Sequence, residues 1–385
     1  MSLSRRSLLT AAAVRPLVAL DKSLIYMNAA NIAPCGKAAL AEYLKQLQDF
    51  QQNPAFQNRE VYKPLSESVR GRLAKLLGAA PGEIALTRNA SEGNNLIAQG
   101  LRLQPGDEIL LTAHNHPSNT QSWQLRARQS GAAVVTAEVP IYAKTAEELL
   151  GTIAGKVTAR TRVIALSHLT NTTGLLYPIA AVAELAHQKK AWCHVDGAQS
   201  FGWMNLNLPA LRIDSFTGSF HKWPMGPLES GLLYVREARI DELTPAILSV
   251  DYWSDKPTGA RKFEMLGQRD DAKLRGLEKT IEFLETTGMA AIERRALAIA
   301  ARFRNGVAGL PGAKLKGSGE AAVSGPVIKV DFPGQDLTAI YHRLWASHRI
   351  AIAKTDAGDA AGLRFSPHVY NTEAEVDQVV RALSL

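Results

Sequence analysis

Cysteine is almost missing from this chain. Cys35 and Cys193 are the only two among 385 residues, and they lie far apart in different contexts. That excludes a disulfide framework and a cysteine-based metal cluster. Apolar runs are short, and none approaches the roughly 20 residues of a membrane-spanning helix. No membrane partner is therefore expected. Repeats and low-complexity segments are absent. A Gly-x-Gly-x-x-Gly fingerprint is missing from the first strand-to-helix turn, Thr87 to Gly93, which disfavours a nicotinamide dehydrogenase. Acidic residues are in the minority, 36 against 44 Lys and Arg, for a net charge of +8. The basic residues are scattered, and no nucleic-acid motif accompanies them. They read as a solvated surface with some attraction for anionic ligands, and no nucleic-acid partner is expected.

What is present is an ordinary globular balance, 46% apolar and 21% charged, in a chain long enough for two domains. At the N-terminus, Ser4-Arg5-Arg6-Ser7-Leu8-Leu9-Thr10 and the small apolar run after it resemble a twin-arginine export signal. Arg15 interrupts that run, and no Ala-x-Ala site follows. The expectation is export to the periplasm; the alternative is a cytoplasmic protein with a basic, apolar arm over residues 1–22.

From there the pattern predicts helices over 37–52 and 64–77, with apolar spacing at Leu65, Val69, Leu73 and Leu76-Leu77. Strands then alternate with helices. Strands are expected at 83–87, 108–112, 133–139, 162–167, 192–195, 215–219 and 232–235, with helices near 90, 118–130, 145–155 and 180–188. Seven short apolar strands of this kind predict an α/β fold with a largely parallel sheet covered on both faces. Ligands in such sheets bind beyond the carboxyl ends of the strands. After Glu237 the pattern changes: helical sequence dominates over 272–310, with strands at 327–330, 351–353 and 362–366, and helices at 337–347 and 373–383. This reads as a smaller α+β domain over 256–385, after a large domain over 23–255.

Polar residues gather at the predicted strand ends. Lys222 lies between two apolar strands, where poor hydration favours a neutral, nucleophilic amine. Asp196-Gly-Ala-Gln199 ends another strand. A lysine that forms an imine and an acid that keeps a pyridinium protonated are what pyridoxal phosphate chemistry requires. The turn Thr87-Arg-Asn-Ala-Ser-Glu-Gly93 opens a helix and offers free N–H groups and the Ser91 hydroxyl to a dianion, although a plain helix cap reads the same way. His114 and His116 follow one strand and could stack on an aromatic ring. Asn171 follows another and could donate to a phenolic oxygen. As isolated residues these last three are ordinary turn formers.

In this order, they resemble class V aminotransferases of the fold-type I pyridoxal-phosphate enzymes, from about Tyr26 to Leu383. The motif Ser219-x-His221-Lys222-x-x-x-Gly-Pro-x-x-x-Gly231 is similar to the family's lysine motif. The resemblance implies pyridoxal 5′-phosphate as cofactor, bound covalently by Lys222, which then moves the Cα proton. It implies that Asp196 meets the ring nitrogen, and that Gln199 and Asn171 contact the 3′-oxygen. His116 would stack on the ring, with His114 as the fallback. Ala90, Ser91, Ser219 and His221 would hold the phosphate. Arg364, in Gly362-Leu-Arg-Phe-Ser-Pro-His-Val-Tyr-Asn-Thr372, would grip the substrate α-carboxylate with Asn31 nearby; a structural salt bridge is the alternative for Arg364. A homodimer is implied, with Gln268 reaching the partner's cofactor from a position where many relatives have Thr.

The segments Asn89-Ala-Ser-Glu92, His116-Pro-Ser-Asn119 and Leu266-Gly-Gln-Arg269 look closest to the isopenicillin N epimerase-like branch. The implied activity is chemistry on a small amino-acid-like substrate through an external aldimine and Cα deprotonation. Transamination, epimerisation and C–S or C–N lysis stay open. A cysteine desulfurase is disfavoured, because no cysteine follows Cys193. A non-enzymatic cofactor-binding sensor is the competing class.

Overall fold

The computed structural model describes residues 10–249, 252–355 and 361–384. The paired arginines of the export motif, Arg5 and Arg6, lie outside the described residues. A two-residue strand, β1 (Ile25–Tyr26), leads into seven strands of one sheet. These are β2 (Ile84–Thr87), β3 (Glu108–Thr112), β4 (Ala133–Ala137), β5 (Thr161–Ser167), β6 (Trp192–Asp196), β7 (Ser215–Ser219) and β8 (Gly231–Val235). Their order is β2-β8-β7-β6-β5-β3-β4. All pairings are parallel except those of β8, which runs antiparallel to both β2 and β7. The connection from β7 to β8 holds no crossover helix, so the chain returns beside the strand it has just left.

The inner strands are buried on both faces, as their near-continuous apolar sequence requires. Ile109, Leu110 and Leu111 of β3 alternate between two cores. Full burial of each is worth about 1.5–3 kcal/mol against exposure. One core holds Leu110, Ile164, Cys193 and Phe216; the other holds Ile109, Leu111, Val163, Trp192 and Trp123. Helix Lys37–Gln52 packs on helix Lys273–Thr287, and Gly276 permits the close approach: a Cβ there would stand 2.9 Å from Ala39 O.

The helical run expected over 272–310 is two helices, Lys273–Thr287 and Met289–Ala308. Gly288, at φ 84°, breaks them. Leu274, Leu277 and Ile281 of the first join the core under the large sheet. The second packs on a four-stranded antiparallel sheet built from β9 (Lys314–Lys316), β10 (Ile328–Asp331), β12 (Ala353–Thr355) and β13 (Gly362–Phe365), in the order β12-β13-β10-β9. The single strand expected at 351–353 is two. β11 (Ile350–Ala351) pairs in parallel with β1, and β12 joins the small sheet. Ile328, Val330, Leu363 and Phe365 form the apolar face of that sheet, against Ile299, Phe303, Val376 and Val379. The opposite face carries Lys316, Lys329 and Arg364, aligned by cross-strand register.

Candidate active site

The carboxyl ends of the parallel strands β2, β3, β5, β6 and β7 meet at one cleft of about 260 Å³. It is lined by Asn31, Ala90, Ser91, His116, Asn171, Asp196, Gln199, Ser219, His221 and Lys222, with Ser118, Ser167 and Leu169 between them. Ten of the residues singled out from sequence therefore share one space, although they come from separate segments of the chain.

Lys222 sits on the turn after β7. The turn is pinned by Gly226 N–H to Phe220 O at 2.8 Å, Met225 N–H to Lys222 O at 3.0 Å and Ala33 N–H to His221 O at 2.8 Å. Behind it Trp223 is fully buried between Trp203 and His368, and its carbonyl bonds His368 Nε2 at 2.7 Å. The loop is thus a firm support for the amine, which faces the cleft. Burial pushes the Lys222 amine down to about 8; Asp196 opposes that shift and Arg364 adds to it.

Asp196 ends β6. Its Oδ1 accepts from Ala198 N–H at 3.0 Å and its Oδ2 from Asn94 Nδ2 at 3.0 Å. His116 caps helix Pro117–Ser130: Nδ1 accepts from Ser118 N–H at 3.2 Å and contacts Ser118 Oγ at 2.8 Å. Burial, with Lys222 and Arg364 nearby, lowers its pKa against the pull of Asp196, so the ring is held neutral. His114 is removed from contention. Its Nε2 bonds Val139 O at 2.8 Å, beyond the end of edge strand β4, and it does not line the cleft.

At the opposite end of the cleft, helix Ala90–Gly100 starts behind Asn89, whose side chain caps Glu92 N–H. Ala90 N–H is already given to Ser219 Oγ at 2.9 Å. Ser91, at the first turn, remains open to the cleft together with the His221 ring. His221 Nδ1 is buried without a hydrogen-bond partner, and burial followed by Lys222 pushes its pKa down to about 4. Asn171 Oδ1 is likewise buried and unpartnered. Gln199 lines the cleft and has a second task. Its carboxamide bridges Ala30 O at 2.8 Å and Trp223 Nε1 at 2.9 Å, so it braces the lysine loop and has one amide hydrogen left for the cleft.

Arg364, on β13, is 8% exposed and stands close enough to depress both Lys222 and His116. Its guanidinium donates to Asn171 O and Asn28 Oδ1, each at 3.0 Å, while Nε is buried and unpartnered. Among the described residues no carboxylate pairs with it, which removes the structural salt bridge as its explanation. Gln268 stands apart from the cleft. Arg59 Nη2 donates to its Oε1 at 2.5 Å, and it lines an adjoining pocket with Thr87, Arg88 and Glu229. Sequence reading missed Asn28 and Asn94, which hold Arg364 and Asp196. The only signal for Asn94 was its place one turn into the helix that starts at Ala90.

The profile described as "Aminotransferase class-V" matches residues 25–379. The chain belongs to the class V aminotransferase family. It is similar to isopenicillin N epimerase of Amycolatopsis lactamdurans, at 29% identity over 96% of each chain. It is also similar to a probable cysteine desulfurase of Vibrio cholerae, at 30% identity over 82% of this chain and 81% of that protein. Its fold matches the apo cysteine desulfurase from Thermococcus onnurineus NA1, with a TM-score of 0.87 at 24% identity and 97% coverage of both chains.

Pyridoxal 5′-phosphate is the cofactor of this family, and the cleft fits it on three counts. Two buried acceptor or donor atoms, Asn171 Oδ1 and His221 Nδ1, lack protein partners. A helix start with an open hydroxyl lies at one end, suited to a dianion. Asp196 stands where a strand end can meet a ring nitrogen, with the poorly hydrated amine of Lys222 in the same space.

Proposed function

We propose that this chain is a pyridoxal-phosphate enzyme that removes the Cα proton of a small amino-acid-like substrate, with Lys222 as the base. One observation carries the reading. A lysine amine pushed down to about 8 shares a cleft with Asp196 and stands within electrostatic reach of an arginine that pairs with no described carboxylate. Bound cofactor supplies the electron sink for the charge left on Cα. The protein does the rest. Lys222 Nζ would hold the cofactor covalently, then accept the Cα proton, a task suited to a group that titrates near neutral pH. Asp196 would keep the ring nitrogen protonated. His116, neutral and fixed by Ser118, offers a flat face for stacking. Ser91, Ser219 and His221 would receive the phosphate, and Asn171 the phenolic oxygen. Arg364, held by Asn28 and Asn171, would orient the α-carboxylate in a bidentate grip.

Two observations weigh against persulfide chemistry. Cys193 is fully buried in β6, and burial raises its pKa far above neutrality; Cys35 is also raised, to about 11, and neither lines the cleft. The class V aminotransferase model puts transamination first, the likeness to isopenicillin N epimerase puts epimerisation second, and lysis stays open. An amino-acid panel with and without a 2-oxo acid separates them. Product that requires the oxo acid indicates transamination. Inverted amino acid without it indicates epimerisation. Borohydride reduction followed by peptide mapping should place the cofactor on Lys222; label elsewhere refutes the proposal.

A further inference from the structure

Behind Asp196 a chain of side-chain hydrogen bonds runs through the sheet, and its direction can be worked out from its two ends. Trp192 Nε1 donates to Ser215 Oγ at 2.8 Å. Ser215 Oγ lies 2.8 Å from His194 Nδ1, and His194 Nε2 lies 2.9 Å from Asn94 Oδ1. Asn94 Nδ2 then donates to Asp196 Oδ2 at 3.0 Å. All five residues are at most 3% exposed, so water does not compete for these bonds.

An indole N–H can only donate. Ser215 Oγ must accept from Trp192, and its own proton then goes to His194 Nδ1. That leaves the His194 proton on Nε2, directed at Asn94 Oδ1. The Asn94 amide therefore presents its NH₂ to Asp196. The reverse arrangement starts from a protonated Asp196 donating to Asn94 Oδ1. The Asn94 NH₂ would then bond His194 Nε2, and His194 Nδ1–H would point at Ser215. Ser215 Oγ would receive two donors, and its proton would have no acceptor. Burying such an unpaired donor is unfavourable. An imidazolium meets the same obstacle, and burial pushes the His194 pKa down to about 4. Arg239, its guanidinium carbon 4.6 Å from the Trp192 ring centre, covers the outer end of the chain.

We infer that Trp192, Ser215, His194 and Asn94 are positioning residues that fix Asp196 as a hydrogen-bond acceptor towards the cleft. Its Oδ1 accepts from Ala198 N–H and its Oδ2 from Asn94, so two donors are already aimed at the carboxyl and suit it to the acceptor role. A ring nitrogen that brings its own proton adds a third donor to that set. The inference rests on the reading of Asp196 as the ring-nitrogen partner. It adds the device that holds and orients that carboxyl from four other positions, three of them on β6 and β7.

The first test needs neither cofactor nor turnover. In cofactor-free protein labelled with ¹⁵N-histidine, His194 should be the neutral Nε2–H tautomer, without titration from about pH 5.5 to about pH 8.5. An Nδ1–H tautomer or an imidazolium at neutral pH overturns the inference. The second test compares Asn94→Ala with Asn94→Asp. Asp fills the Asn space but cannot donate to Asp196 and sets a second carboxylate against it. N94D should therefore lose more than N94A in cofactor affinity and in kcat, by at least about tenfold, the scale of lost supporting hydrogen bonds. A residue that merely fills space gives the opposite order, with N94A worse, and that result refutes the relay. Failure of the pyridoxal reading looks different: the parent protein itself would bind no cofactor, whatever the His194 tautomer.

Discussion

Ala90 N–H donates to Ser219 Oγ at 2.9 Å, joining the start of the first helix beyond β2 to the end of β7. The bond ties the proposed phosphate end of the cleft to the turn that carries Lys222. Ser219 is 2% exposed and lines the cleft. Ser219→Ala should leave the fold intact, at a cost of about 1 kcal/mol for one lost bond. It should also weaken cofactor affinity several-fold. Spectroscopic titration of the cofactor-free protein with pyridoxal phosphate measures this; unchanged affinity would detach Ser219 from the cradle.

The titration of Lys222 gives a prediction with a definite sign. Its folded pKa, about 8, lies below the ordinary 10.5 because burial disfavours the ammonium. In cofactor-free protein the amine should gain reactivity toward an aldehyde as pH rises, with a midpoint about 8. Asp196 raises this pKa and Arg364 lowers it. Asp196→Asn should therefore shift the midpoint down and Arg364→Gln should shift it up. Shifts of the same sign in both variants would show that the amine does not sense the two groups separately.

The strand-end residues were legible in the sequence because a parallel sheet delivers its carboxyl ends to one line. Lys222, Asp196, Asn171, His116 and Ser91 each follow an apolar run, and each lines the cleft. His116 was preferred over His114 from the resemblance, and the fold adds that His114 is spent on Val139 O. The brace made by Gln199, and the chain from Trp192 to Asp196, were out of reach for a deeper reason. The brace ties Ala30 to Trp223 and the chain ties helix Ala90–Gly100 to β6 and β7, so side chains distant in sequence meet only in the fold. The break at Gly288 was readable in principle, as a glycine inside a helical run, but apolar periodicity continued across it.

Arg364 is not interchangeable with lysine if it binds a carboxylate with its planar fork. Arg364→Lys keeps the charge and loses both geometry and the bonds to Asn171 O and Asn28 Oδ1. The expected result is a rise in KM of about tenfold to a hundredfold, from about 1.5–3 kcal/mol of charge-assisted bonding. The N-acetyl or ester form of the substrate is no substitute test; the amino acid against its amide is. The parent should discriminate strongly between them, and R364K weakly. Equal discrimination in both would remove Arg364 from the carboxylate site.

We propose a homodimer with shared sites, as the family resemblance implies. Leu228, Leu248 and Trp253 are exposed apolar side chains, and Gln268 lies outside its own chain's cleft. Sedimentation should give twice 41.7 kDa, and Gln268→Ala should weaken cofactor affinity only in the dimer. A monomer with full activity would refute the shared-site arrangement.

Lys329 provides a stability test that is independent of catalysis. It is fully buried on the polar face of the small sheet, beside Arg364 and Lys316, and it donates to Thr355 Oγ1. Among the described residues no carboxylate pairs with it. Burial, then Arg364 and Lys316, pushes its pKa down to about 7 from 10.5. Between those values the unfolded chain binds more protons at this position than the folded one, so its contribution to stability rises with pH. Below pH 7 the folded lysine is charged as well, and the full penalty of a buried cation is present. Lys329→Met keeps most of the apolar volume and removes that penalty. Its melting temperature should exceed the parent's by several degrees near pH 6, and the gap should close towards pH 10. A gap that stays constant across this range would mean that Lys329 does not titrate differently on folding, and a lower melting temperature at pH 6 would mean that its charge has a partner there.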